Sequence, residues 1–249
     1  MARKTRIEFE GALYHVITRG NQKRKVFRTD EDFQTYLDIL RRYKDRYRFY
    51  LYAYVLMSNH VHLLIETAST PLSKTLQGIN QTYTMYFNRK YSTVGHLFQG
   101  RYKAILCEKD AYLLTLAKYI HLNPVRATLT PSPDDYFWSS HAVYARKTAK
   151  GDIVDVGLVL PMFSEREESA RKLYRSFMGD EVRITKHDVY MTIDQRLLGS
   201  RCFVDEVIEK QNVPLERKRR KEGLSLLEIS RGIERAYGIS LRIFDQEAG

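Results

Sequence analysis

Two histidines flank a single valine at His60-Val61-His62, and further along the chain Tyr119 is followed at i+4 by Asn123. On a strand, side chains at i and i+2 share a face. On a helix, side chains at i and i+4 do so. The first pair can hold a divalent ion through neutral imidazoles. The second can bring a phenol and an amide oxygen to that same ion. A phenol beside a cation that grips a phosphate can cut a nucleic-acid strand through a covalent phosphotyrosine. Each feature also has a plainer reading. An HxH pair can face solvent or fill a polar core, Tyr119 can be a core aromatic, and Asn123 can simply close a helix ahead of Pro124.

Composition favours a nucleic-acid partner. The chain has 249 residues, with 41 Lys and Arg against 30 Asp and Glu, a formal net charge of +11. Such a surplus attracts acidic partners, nucleic acid first among them. The cations are grouped: Arg3, Lys4 and Arg6; Lys23, Arg24, Lys25 and Arg28; and the block Arg217-Lys218-Arg219-Arg220-Lys221. Tyrosine occurs 18 times. Aromatics among cations suit base stacking and phosphate tracking along a single strand, although most tyrosines also fit half-buried core positions. Cys107 and Cys202 stand far apart without metal-ligand spacing, which argues against a disulfide framework and fits a reducing cytoplasm. Met-Ala-Arg-Lys-Thr-Arg at the start lacks the apolar stretch of a secretory signal. No run approaches the ~18 apolar residues of a membrane span. The expectation is a cytoplasmic protein with no membrane partner, whose bound ion would rest on His, Asn and carboxylates.

These residues need elements to position them. Ala12 to Arg19 reads as a strand ending at the Gly20-Asn21 turn. Thr29 and Asp32 have capping-box spacing, and Phe33, Tyr36, Leu37, Leu40 and Tyr47 continue as an amphipathic helix. Phe49 to Met57 and His60 to Glu66 read as a hairpin around Ser58-Asn59. A helix should start near Pro71, with Thr70 as its cap, and bury Leu72, Leu76, Ile79, Tyr83 and Tyr86. Gly95 to Cys107 reads as a loop leading into a strand. Asp110 can cap a last helix that ends or distorts at Asn123, before Pro124. The order βαββαβα predicts an α+β fold, a ferredoxin-like antiparallel sheet with helices against one face. Trp138 and Tyr144 suggest a segment folded back on this unit. The expected division is a catalytic domain at 1–145 and a mainly helical, basic extension at 146–249. Within the extension, Glu165 to Met178 reads as helical, and Leu224 to Tyr237 with the following Gly238-Ile239-Ser240 forms a candidate, incomplete helix-turn-helix.

Four separated motifs carry a resemblance. They are Tyr14-His15-Val16 with Arg19-Gly20-Asn21, Met57-Ser58-Asn59-His60-Val61-His62-Leu63-Leu64, Phe98-Gln99-Gly100-Arg101-Tyr102-Lys103, and Tyr119-Ile120-His121-Leu122-Asn123-Pro124-Val125-Arg126-Ala127. In this order, over residues 9 to about 145, they resemble the single-tyrosine HUH transposases, in particular the REP-associated tyrosine transposases. Leu224 to Leu241 resembles the start of the DNA-binding domain of bacterial replication initiators. The main resemblance implies Tyr119 as nucleophile, with His60, His62 and Asn123 as ligands of magnesium or manganese. Relatives vary at the Asn123 position, where some have Gln. It further implies single-stranded DNA with a hairpin as partner, cut to leave a 5′-phosphotyrosine and a free 3′-hydroxyl. Arg19, Arg101, Tyr102 and Lys103 lie in matching motifs and are candidate DNA contacts, and a homodimer is left open. A free phenol has a pKa near ~10, so its ionisation needs help. Lys118 points off the tyrosine's helical face, whereas Arg126, at i+7, shares it if the helix survives Pro124. Two other classes remain: a non-catalytic nucleic-acid-binding regulator on this scaffold, and a metal-dependent phosphodiesterase that uses water.

Overall fold

A computed structural model describes residues 6–146, 153–179, 192–193 and 195–211. The basic block at 217–221, the candidate helix-turn-helix and the segment Leu224 to Leu241 lie outside the described residues. The described chain forms β1 (Leu13–Arg19), α1 (Asp30–Tyr47), β2 (Tyr50–Met57), β3 (His60–Glu66), α2 (Leu72–Lys90), β4 (Lys103–Cys107) and α3 (Lys109–His121). These are the seven elements expected, in the expected order. Beyond them come α4 (Asn123–Arg126), α5 (His141–Ala145), α6 (Glu167–Gly179), β5 (Leu197–Leu198) and α7 (Arg201–Gln211).

The sheet order is β2-β3-β1-β4-β5. The first four strands are antiparallel to their neighbours, and β5 adds a short parallel edge beside β4. Strand β3, carrying His60 and His62, therefore lies inside the sheet beside β1, which pairs with it from Leu13↔Glu66 to Arg19↔His60. Both are buried along nearly their whole length, and Val16, Leu63, Leu64 and Ile65 are fully buried. Strands buried on both faces read as near-continuous apolar runs; here His15, His60 and His62 interrupt that run on the one face that builds the site. Helix α3 lies on the face that carries His62, as ring contacts from Tyr119 show, and the opposite-facing Tyr14, Val16, Val61 and Leu63 are buried as well.

The local signals explain most boundaries. Thr29 and Asp32 form the capping box at the start of α1. The start of α2 differs from expectation. Pro71 is itself the cap residue, and the Glu8 carboxylate accepts from the Ser73 backbone N–H at 2.6 Å and its hydroxyl at 2.8 Å. A tertiary carboxylate thus does the work expected of Thr70, and it complements the helix dipole. At α3 the cap is Glu108 rather than Asp110. The helix breaks at Leu122, and one further turn, α4, restarts with Pro124 in its first positions. Beyond α4, residues 136–140 fold back along the outer edge of β2. Leu56 N–H donates to the Trp138 carbonyl at 2.9 Å, and Tyr54 N–H to Ser140 Oγ at the same distance. This satisfies an otherwise exposed sheet edge.

Candidate active site

The site is built where β3, β1 and α3 meet. His60 and His62 project from the same face of β3 and their ring centroids lie 5.1 Å apart with planes at 76°. On the adjoining strand His15 sits diagonally opposite His62, because His15 pairs with Leu64 and Ile17 with His62. From α3, the Tyr119 ring meets His62 edge-on at 6.2 Å and His15 edge-on at 5.8 Å. The structure therefore brings the HxH pair and the phenol together. His60 is the partly exposed member, at the strand end by the hairpin turn; His62 and Tyr119 lie deeper, at 4% and 1% exposure.

Asn123 is tied to the tyrosine by its backbone. Its amide Nδ2 donates to the Tyr119 carbonyl at 2.9 Å, as a helix-terminal asparagine does when it satisfies an end carbonyl. This leaves Oδ1 as the side chain's acceptor. Arg126 keeps the shared face expected of it despite Pro124. Its guanidinium stacks 4.6 Å from the Tyr119 ring centroid and donates to the Tyr119 carbonyl at 3.3 Å. Lys118 points away, into α6, where its ammonium meets the Phe177 carbonyl and ring.

The residues fit a divalent ion. Two imidazoles bound to one cation at metal–nitrogen distances of about 2.1 Å have ring centroids roughly 5 Å apart, the spacing of His60 and His62. The Nδ1 of each is already engaged, in His60 with Asn59 Oδ1 at 2.6 Å and in His62 with His15 Nε2 at 2.9 Å. Nε2 is thus the nitrogen each can offer. Among the described residues no group of three or more His, Cys, Asp and Glu side chains could hold a metal, so neutral oxygens would complete the shell.

The four candidate DNA contacts differ in position. Arg19 is exposed at the end of β1, opposite His60 and on the face of the histidines. Lys103 lies on the same face, opposite Ile17, and partial desolvation of its ammonium lowers its pKa. Arg101 is exposed beside Gly100, whose φ of +56° is easiest for glycine. Tyr102 is half-buried, with the Arg6 guanidinium 3.9 Å over its ring, so one face of that ring is already covered.

His15 is the site residue that spacing did not single out. It is fully buried, and burial together with the nearby Lys103 charge holds its pKa down to about 3, so the ring is neutral at physiological pH. It stood in the Tyr14-His15-Val16 motif, but nothing short of the β1–β3 register shows that it reaches His62.

Residues 8–123 match the family described as IS200-like transposase. A REP-associated tyrosine transposase, solved bound to a REP hairpin, superposes with a TM-score of 0.50 at 18% identity, covering 62% of this chain and 94% of its own. At that identity the likeness speaks for the fold. A protein from Deinococcus radiodurans R1, described as a candidate transposase, matches at 19% identity over 48% of this chain and 94% of its own, with a TM-score of 0.34. No protein of curated function matches.

Proposed function

The segment from residue 8 to residue 123 belongs to the IS200-like transposases, and from that premise we propose that the protein cuts and rejoins single-stranded DNA beside a hairpin, with Tyr119 as the nucleophile. One observation carries the reading: the Tyr119 ring lies against His62, on the sheet face that His60 shares. Neither the plain core-aromatic reading of Tyr119 nor the solvent-facing reading of the HxH pair accounts for that convergence. The related REP-associated transposase solved with its hairpin supports a hairpin as the DNA partner.

In the proposed reaction the Tyr119 oxygen attacks the scissile phosphorus. The phenol loses its proton, a P–O bond to tyrosine forms, and the P–O3′ bond breaks to release a 3′-hydroxyl. The ester is conserved as a 5′-phosphotyrosine. An incoming 3′-hydroxyl reverses the step, and the tyrosyl oxygen leaves. Magnesium or manganese held by His60 and His62, with Asn123 Oδ1 as third ligand, would supply charge neutralisation at a non-bridging phosphate oxygen. Arg126 acts on the other partner. A phenolate ring is more negative than a phenol, so the stacked guanidinium favours the ionised form. Arg19 and Lys103, flanking the histidines on one face, hold the DNA backbone by charge, with Arg101 and Tyr102 as further contacts just before β4. The division at residue 145 stands as part of this proposal: residues 1–145 supply the chemistry, and the basic extension adds DNA affinity.

The test is a labelled single-stranded hairpin oligonucleotide incubated with the protein and manganese. The expected product is a labelled protein band that survives denaturation, lost in Tyr119→Phe while hairpin binding persists. Cleavage that continues in Tyr119→Phe would instead mark a phosphodiesterase that uses water, and binding without cleavage a regulator.

A further inference from the structure

Both imidazoles of the HxH pair are held from behind. A neutral imidazole has one donor and one acceptor nitrogen, and only the unprotonated nitrogen can bind a cation. His60 Nδ1 lies 2.6 Å from Asn59 Oδ1, an atom that only accepts; the Asn59 amide is oriented by donating to the Lys23 carbonyl at 3.3 Å. That contact puts the proton on His60 Nδ1 and leaves the Nε2 lone pair outward. His62 Nδ1 lies 2.9 Å from His15 Nε2, and the two rings stack at 5.2 Å with planes at 23°. If His15 accepts, His62 also carries its proton on Nδ1 and presents an Nε2 lone pair. If His15 donates, His62 Nε2 is protonated and lost as a ligand. The same His15 ring meets Tyr119 edge-on at 5.8 Å, so it sits between the ligand and the nucleophile, and it is fully buried.

We propose that His15 and Asn59 are positioning residues, each accepting the Nδ1 proton of one histidine of the HxH pair so that both Nε2 lone pairs converge on one divalent cation. The proposal rests on the reading of His60 and His62 as ligands. The neighbours behind metal-bound histidines fix ring orientation and tautomer, and losing one typically costs about 10–100-fold in metal affinity. Here the two hold ligands of one strand from opposite directions: Asn59 from the hairpin turn, His15 from across the β1–β3 ladder.

The experiment is manganese titration of the full chain without DNA, followed by the electron paramagnetic resonance signal of free Mn²⁺, beside metal-free hairpin binding. His15→Gln keeps an acceptor near the position of Nε2 and should bind manganese within about threefold of the parent. His15→Asn, whose shorter amide reaches only the position of Nδ1, and His15→Leu should each weaken it by about tenfold or more. Hairpin binding without metal should stay unchanged in all three. Asn59→Ala, at a partly exposed turn, should weaken manganese binding similarly, and it decides the matter if the buried-site variants fold poorly. Parent-like affinity in His15→Leu, His15→Asn and Asn59→Ala overturns this inference alone, as does a Gln variant as weak as Leu, which would reduce His15 to packing. No manganese uptake by the parent chain overturns the ligand reading as well.

Discussion

Tyr119, the proposed nucleophile, is almost wholly enclosed, so the side chains that enclose it would set its reactivity. Arg126 is the one cation stacked on its ring among the described contacts. Cation–π contacts contribute about 0.5–2 kcal/mol, so Arg126→Met should slow adduct formation by roughly twofold to thirtyfold. The loss should shrink as pH rises toward the phenol's own ionisation, because the guanidinium's contribution is to favour phenolate. Rates of adduct formation against pH, with hairpin affinity measured alongside, check this; an equal loss at every pH would place Arg126 on the DNA instead. The site residues that could be read in advance were those whose partners lie within one element. His60 and His62 share a strand face, and Arg126 shares a helical face with Tyr119, because strand and helix periods are fixed. His15 could not be reached that way, since its contact with His62 exists only through the pairing of β1 with β3. The Asn123 amide bond to the Tyr119 carbonyl was equally hidden, since i+4 spacing gives proximity but not which end of the amide is used.

The elements that position the site are held by close packing between helices as much as by the sheet. Gly78 of α2 faces Tyr43 of α1, and a Cβ built there would come within 2.3 Å of the tyrosine ring. Alanine is better than glycine inside a helix by about 1 kcal/mol, yet here the ring, whose hydroxyl is bonded to Thr82 at 3.0 Å, would have to move. Overpacking of this kind costs about 1–3 kcal/mol. Gly78→Ala should therefore leave stability flat or lower it by up to about 2 kcal/mol in urea unfolding, against the gain that propensity alone predicts. At this scale the hairpin, the capping box of α1 and the break before Pro124 follow from short local signals. The Glu8 cap on α2 does not, because it is supplied by a residue far away in sequence. Nor does β5, a two-residue strand whose pairing with β4 depends on the chain returning to that edge.

Across the whole molecule, a buried polar chain ties the extension to the helix that carries Tyr119. His141 Nε2 faces Asp134 at 3.3 Å, and its Nδ1 lies 2.7 Å from the Tyr174 hydroxyl, which in turn is 2.9 Å from His121 Nδ1; His121 Nε2 lies 2.7 Å from Ser140 Oγ. One donor order fits the three hydrogen bonds of this chain. Ser140 donates to His121, His121 to Tyr174 and Tyr174 to His141, whose Nε2 carries the proton and faces the Asp134 carboxylate, with both imidazoles neutral. Around it, Arg171 of α6 donates to the Tyr144 and Arg146 carbonyls at 3.0 and 2.7 Å, and Asp155 accepts from Leu51 N–H at 2.7 Å. Tyr174→Phe would strand two buried imidazole nitrogens and should cost about 1–3 kcal/mol. The same chain predicts how stability responds to acid. Burial lowers the pKa of His121 and of His141 below the ordinary 6.5, in His141 against the pull of Asp134. The unfolded chain therefore binds more protons just below that pH, so this contribution is complete above 6.5 and is lost as pH falls. Asp32 acts lower down. Bonds from Lys90, Tyr91 and two backbone amides outweigh its burial and hold its carboxyl at about 2 against an ordinary 3.8, so its stabilisation, about 2 kcal/mol, persists to pH near 4 and fades below. Urea midpoints taken across pH should thus be level above neutrality, fall from about 6.5 downward, and fall again between about 4 and 2. Replacing Asp32 with Asn should remove the second fall and leave the first. A single transition confined to the carboxylate range would mean that the two buried imidazoles carry protons in the folded chain, and the donor order from Ser140 to Asp134 would have to be redrawn.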